Sequence, residues 1–176
     1  AFAANAAAYA QGGYAALVFY PVSLFACIGT CGGSGNTLPL VIFGLKAKSE
    51  QIRAVSKIAL VPGWFGINEP VTFGMPIMYN PILCIPYVLN VIVVMACTLF
   101  MYKIGFLVPG FVPIMTLMPM GFGSFLSTLR WQNAIWDYLT MIPAGLVWYP
   151  FFKVYDNQLY KKEQEAKAAE AAAAKA

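Results

Sequence analysis

Between Pro62 and Pro86 the chain reads PGWFGINEPVTFGMPIMYNPILCIP, and this stretch limits the fold more than any other. Prolines 62, 70, 76, 81 and 86 fall inside it. Each removes a backbone donor and crowds the preceding turn, so no straight helix is expected to run through. The surroundings are apolar, and Glu69 is the one charged residue between Lys57 and Lys103. A carboxylate in an apolar, broken segment is costly unless it lines a polar cavity. Glu69 is therefore the first candidate for a functional site.

The apolar surroundings extend to the whole chain. Hydrophobic residues make up 60% and charged residues 10%, and the mean hydropathy is +0.69. A soluble domain cannot bury that much apolar sequence, which predicts an integral membrane protein whose partner is the lipid bilayer. At roughly 20 residues per span, the chain has material for about four to six crossings. The first charge of any kind is Lys46. Lys46, Lys48, Arg53 and Lys57 share one loop, and Lys153, Lys161, Lys162, Lys167 and Lys175 follow the last apolar segment. The positive-inside rule places both regions, and the carboxy terminus with them, in the cytoplasm. Orientation alone explains this charge pattern, so nucleic-acid binding is not expected. The cysteines at 27, 31, 84 and 97 lie in apolar sequence, with no histidine and no CxxC. They are expected to be small buried residues, and neither metal nor cofactor is expected. The opening AFAANAAAYAQGG has no basic n-region and does not read as a signal peptide.

Taken in order, Tyr14 to Cys31 is long enough to span, with Pro21 as a kink. Gly32-Gly33-Ser34-Gly35-Asn36-Thr37 breaks it ahead of a short apolar run, Leu38 to Leu45. The break fits either an unwound turn between half-helices, where transporters place binding sites, or a plain tight turn. Lys46 to Lys57 is expected to be a polar cytoplasmic helix with an apolar stripe at Ile52, Val55 and Ile58. Ile82 to Tyr102 is a full span with Asn90 as its one amide. Residues 104–129 carry Pro109, Pro113, Pro119 and several glycines, and predict a second broken segment. Asn133 to Phe152 is the last expected span, with Trp148 and Tyr149 as interfacial anchors. If both charged regions are cytoplasmic, two full crossings suffice provided the two broken segments re-enter on one side. Four full crossings keep the same parity, and the prolines favour re-entry. The fold class expected is an all-α integral membrane protein with broken helices and two re-entrant hairpins. Residues 1–13 form an amino-terminal stretch, 14–152 the membrane-embedded part, and 153–176 a charged helical tail, solvated and dispensable.

PGWFGINEPVTFGMPIMYNPILCIPYVL closely resembles the signature of the lactose/cellobiose (diacetylchitobiose) type membrane IIC component of the bacterial sugar phosphotransferase system. The resemblance rests on Asn68-Glu69-Pro70, Phe73-Gly74, Pro76-Ile77, Asn80-Pro81 and Ile85-Pro86. IGTCGGSGNTLPL is similar to that family's glycine-rich region, AKSEQIRAVSKIAL to its basic loop, and YPFFKVYDNQL to its closing segment. The likeness covers residues 3 to 162. Gly66 stands where the family pattern has asparagine, and Ile114 where many members have an aromatic that stacks on sugar; Trp131 or Trp64 could replace it, though each is rather expected as an interfacial anchor. Family members also carry an amino-terminal bundle and a histidine motif, which implies a missing amino-terminal half, or a homo-oligomer, as a further partner.

The resemblance implies a membrane permease that holds a disaccharide of the cellobiose, lactose or chitobiose class. The sugar's C6 hydroxyl would be presented to a phosphocysteine on a IIB subunit, itself charged by IIA. Phosphoryl-transfer chemistry would then reside on the partner. Glu69 would hydrogen-bond that hydroxyl and take its proton. Asn68, Asn80, Asn36 and Asn5 would complete the substrate contacts. Two other classes remain open on the residues alone. One is a truncated, transport-inactive remnant acting as a membrane interaction partner, and the other an ion-coupled transporter using Glu69 as proton carrier.

Overall fold

The computed structural model describes residues 2–18, 30–114 and 117–173, and among them the regular structure is helical, without strands. Most of the expected span from Tyr14 to Cys31, with Pro21 and Cys27, lies outside the described residues. The chain begins with α1 (Phe2–Gly12) and a 3-10 turn, Gly13–Ala16. Then follow α2 (Leu38–Gly44), α3 (Glu50–Trp64), α4 (Glu69–Gly74) and a 3-10 turn at Ile77–Tyr79. The carboxy-terminal half holds α5 (Pro81–Lys103), α6 (Phe122–Thr128), α7 (Trp131–Leu139) and α8 (Met141–Ala173).

Three prolines of the broken stretch fall at helix ends, whereas Pro86 lies inside α5 and Pro150 inside α8. Pro62 lies in the last turn of α3, Pro70 in the first turn of α4, and Pro81 opens α5. α5 is the one helix among the described residues that is long and apolar enough to cross a membrane, with 23 residues and a hydropathy of 2.4. It packs mainly against α8, while α2 packs against both α3 and α8. Leu40, Val41, Ile52, Ala59, Val71, Ile77, Leu83 and Trp148 form the core where these helices meet. Asn90, the lone amide of α5, is fully buried and donates to the Ala144 carbonyl of α8 at 2.9 Å. Trp136 Nε1 donates to Thr98 Oγ1 at 2.9 Å and ties α7 to α5. Such polar ties hold helices together where apolar contact alone does not discriminate between neighbours.

Three expectations change. The polar helix expected over 46–57 begins at Glu50 and continues to Trp64, running through the start of the broken stretch. The span expected over 133–152 is two helices that meet at Thr140. Thr140 N still donates to Trp136 O and Ala144 N to Thr140 O. Pro143 has no N–H to give the Leu139 carbonyl, so the hydrogen-bond ladder is interrupted there. Third, the tail is not a free appendage. Both Asp156 carboxylate oxygens accept from Lys48 N at 3.0 Å, and one also accepts from Ser49 N. Glu163 accepts from Ser49 Oγ at 2.6 Å and from the backbone N–H groups of Glu50 and Gln51 at 3.1 Å. Lys167 reaches Glu50 at 2.9 Å. The tail carboxylates therefore cap α3 from outside, where free N–H groups and the helix dipole favour negative charge.

Partial burial alone would raise the Glu163 pKa, but the Ser49 hydroxyl and the two N–H groups outweigh it and hold the carboxyl below its usual range. A depressed folded-state pKa stabilises the fold above the unfolded value, and that contribution is lost as pH falls through the lowered pKa. Glu163→Ala is expected to cost about 0.5–1 kcal/mol at neutral pH, kept small by solvent screening. Thermal unfolding of variant and wild type should converge as pH falls below the lowered pKa and the carboxyl is protonated. A gap that stays the same as the pH falls would exclude this cap.

Candidate functional site

The site is built around two turns that touch. The first, residues 31–37, carries positive φ at Gly32, Gly33, Gly35 and Asn36. Its shape is held from inside: Asn36 Oδ1 accepts from Cys31 N at 3.0 Å, and Thr37 Oγ1 donates to Gly32 O at 2.6 Å. From outside, Trp148 Nε1 on α8 donates to the carbonyls of Asn36 at 2.9 Å and Gly35 at 3.2 Å. Trp148 was expected at the membrane interface; it is fully buried instead, and the turn hangs from it. Tyr149, its neighbour, is 46% exposed and carries Lys153 over its ring at 4.7 Å.

The second turn, residues 65–68, links α3 to α4. Gly66 has φ +81° with open space where a side chain would point. Asparagine also tolerates positive φ, so either glycine or asparagine suits this backbone shape. A Cβ on Gly33 would lie 2.5 Å from Gly66 O, so the turns approach closely. Asn68 Nδ2 crosses between them to Ser34 O at 2.7 Å.

Two cavities flank this contact. The larger, about 490 Å³, is lined by both turns, with Asn36, Asn68 and Glu69, and by one face of α5. Its volume suits a small-molecule ligand, for which about 300–1,000 Å³ is typical. Glu69 is exposed at its wall rather than sealed in apolar surroundings. The smaller cavity, about 170 Å³, shares Thr30, Gly33 and Gly66 with it and is lined further by Trp64, Ile114 and the buried Asp137. Asp137 accepts a hydrogen bond from Ser124.

Of the residues singled out in the sequence, Asn36, Asn68 and Glu69 come together at the larger cavity. Asn80 and Asn5 bond backbone instead. Asn80 caps α5 through Oδ1, which accepts from Ile82 N at 3.0 Å. Asn5 is buried, donates to Val18 O and Gly110 O, and accepts from Val18 N. It joins the amino-terminal helix to the segment ahead of Ile114. Trp64 lines the smaller cavity beside Ile114, whereas Trp131 is exposed and lines neither. Sequence reasoning missed Tyr87 and Asp137 as cavity residues. Tyr87 had a usable signal: Tyr87, Val91, Val94, Met95 and Thr98 recur at helical spacing on α5 and line one wall.

Residues 3–91, half of the chain, match the family model described as "Phosphotransferase system, EIIC". The chain is 34% identical over 146 residues to the lichenan permease IIC component of Bacillus subtilis, covering 81% of this chain and 32% of that protein. It is 37% identical over 144 residues to the lactose-specific EIICB component of Lacticaseibacillus casei, covering 76% of this chain and 23% of that protein. The chain thus spans about a third or less of these relatives. The crystal structure of the transporter ChbC, the IIC component of the N,N'-diacetylchitobiose-specific phosphotransferase system, superposes with a TM-score of 0.84. That match is at 29% identity over 93% of this chain and 38% of that one. By sequence motif, family model and fold together, this chain belongs to the EIIC family of the phosphotransferase system, as a IIC component of the lactose/cellobiose type.

Proposed function

We propose that this chain forms the sugar-binding part of a plasma-membrane IIC permease that presents a β-linked disaccharide for phosphorylation. The observation that carries this is the carboxylate of Glu69 beside the Asn68 amide on a cavity of about 490 Å³ framed by two backbone turns. Glu69 accepts the hydrogen bond of the substrate's C6 hydroxyl and orients its oxygen towards the phosphoryl donor. Asn68 and Asn36 hold neighbouring hydroxyls, while Asn80 and Asn5 fix the backbone around the site. The donor is a IIB phosphocysteine, recharged by IIA; the fused EIICB relatives support that partnership. The remainder of the permease, as a preceding half or a second subunit, completes the enclosure.

The broken segments are proposed to re-enter the membrane. α3 runs 15 residues from the charged loop to Trp64, about 22 Å at 1.5 Å per residue. That length brings the turn at Gly66, and Glu69 after it, well below a cytoplasmic surface at Glu50. The turn then returns through α4 towards Tyr79. The tail helix, tied to the same loop, lies on the cytoplasmic side.

The test is calorimetric titration of β-linked disaccharides into the purified chain in detergent. Saturable binding is expected, weakened about 10- to 100-fold in Glu69→Gln, because hydrogen bonds to a charged acceptor are worth about 1.5–3 kcal/mol. Absence of binding to every sugar by a folded chain would overturn the proposal.

A further inference from the structure

A sugar ring presents hydroxyls at its edge and C–H groups on its faces, so a complete site needs an apolar platform as well as polar partners. Ile114 faces the smaller cavity rather than the one holding Glu69. Among the described residues that line the larger cavity, Tyr87 is the one aromatic. We propose that Tyr87 is the stacking platform of this site, and that it selects pyranosides with an unobstructed C–H ring face. The inference rests on the sugar-binding reading of the same cavity.

Three features support it. Tyr87 is half-buried and packs on the main core, so its ring is held without being sealed off. Its position is set by Gly35: a Cβ there would lie 2.4 Å from Tyr87 Cδ2 and Cε2, so the turn meets the ring only because residue 35 lacks a side chain. The same turn supplies Ser34 and Asn36 to the cavity, and Ser34 O receives the Asn68 amide. Platform and polar groups are thus one connected unit. Along α5 the ring stands at the head of an apolar wall of Val91, Val94 and Met95, which excludes water from a bound ring face. Aromatic residues in pockets supply large contact area in few rotatable bonds, and ring stacking adds beyond area alone.

The experiment titrates cellobiose into wild type, Tyr87→Phe, Tyr87→Leu and Glu69→Gln, with thermal unfolding of each to confirm folding. Tyr87→Phe is expected to bind within about threefold of wild type, and Tyr87→Leu at least about tenfold more weakly. Tyr87→Leu binding like wild type, while Glu69→Gln binds weakly, would overturn the platform and leave the sugar site standing. Equal losses in Tyr87→Phe and Tyr87→Leu would show that the hydroxyl, not the ring face, makes the contact, and would also overturn it. Should folded wild type bind no sugar, both proposals fall together.

Discussion

Trp148→Ala is expected to destabilise the protein by about 3–5 kcal/mol, the range for emptying a large buried aromatic site. Trp148 is fully buried in the main core, beside Leu40 and Val41 of α2 and Leu83 of α5. Its loss opens a cavity among three helices at once. It also removes the indole N–H that the carbonyls of Gly35 and Asn36 share. Trp148→Phe separates the two effects. Most of the volume is kept, and the cost should fall to about 1–3 kcal/mol, that of buried acceptors left without a donor. Hydrogen exchange should then accelerate selectively across residues 31–37 while α5 stays protected. Thermal unfolding in detergent and exchange mass spectrometry would measure both. Uniform exchange changes in Trp148→Phe, or an alanine variant as stable as wild type, would show that the turn does not hang from Trp148.

Gly33→Ala is expected to abolish ligand binding with far more effect than its single methyl suggests. Gly33 has φ +76°, where an L side chain adds about 1–3 kcal/mol of strain. The added Cβ would also meet Gly66 O at 2.5 Å and Asn68 Cγ at 3.2 Å. Both of those atoms belong to the turn that leads into Glu69, and neither is the far end of a flexible side chain. The 65–68 turn must therefore retreat, stretching the Asn68–Ser34 bond and moving the carboxylate. Gly66→Asn is the matched control: φ is +81°, but nothing lies within 4 Å of a Cβ there. Titration should show sugar binding lost in Gly33→Ala and kept in Gly66→Asn. Normal binding by Gly33→Ala would mean that the contact between the turns does not position the site.

Several features were legible in the chain because their causes are local. A proline lacks an N–H wherever it stands, so the breaks at the end of α3 and at the starts of α4 and α5 follow from residues 62, 70 and 81. The length and apolarity of α5 are sums over consecutive residues, and its bounds fall within one residue of the expected 82–102. The all-helical class and the IIC family were legible too, the latter from the Asn68-Glu69-Pro70 block. Glu69 was picked out as a lone charge in a broken apolar stretch and Asn68 and Asn36 through the resemblance, and the three line one cavity.

What only the tertiary structure decided involves pairs far apart in the chain. Trp148 carries the same side chain whether it anchors at a lipid surface or sits in a core. Its burial follows from α2 and α5 closing over α8, more than a hundred residues from the turn it holds. Asp156 and Glu163 look like solvated tail charges until α8 brings them onto the N–H groups of residues 48–51. The division of the helix at Thr140 goes with Pro143 three residues later, inside a run whose hydropathy reads as one span. Composition and proline placement determined which segments are helical and where they break, because those terms act within a few residues. Which side chains line the cavity, hold its turns and cap its helices was decided by packing, which hydropathy and local propensity do not encode.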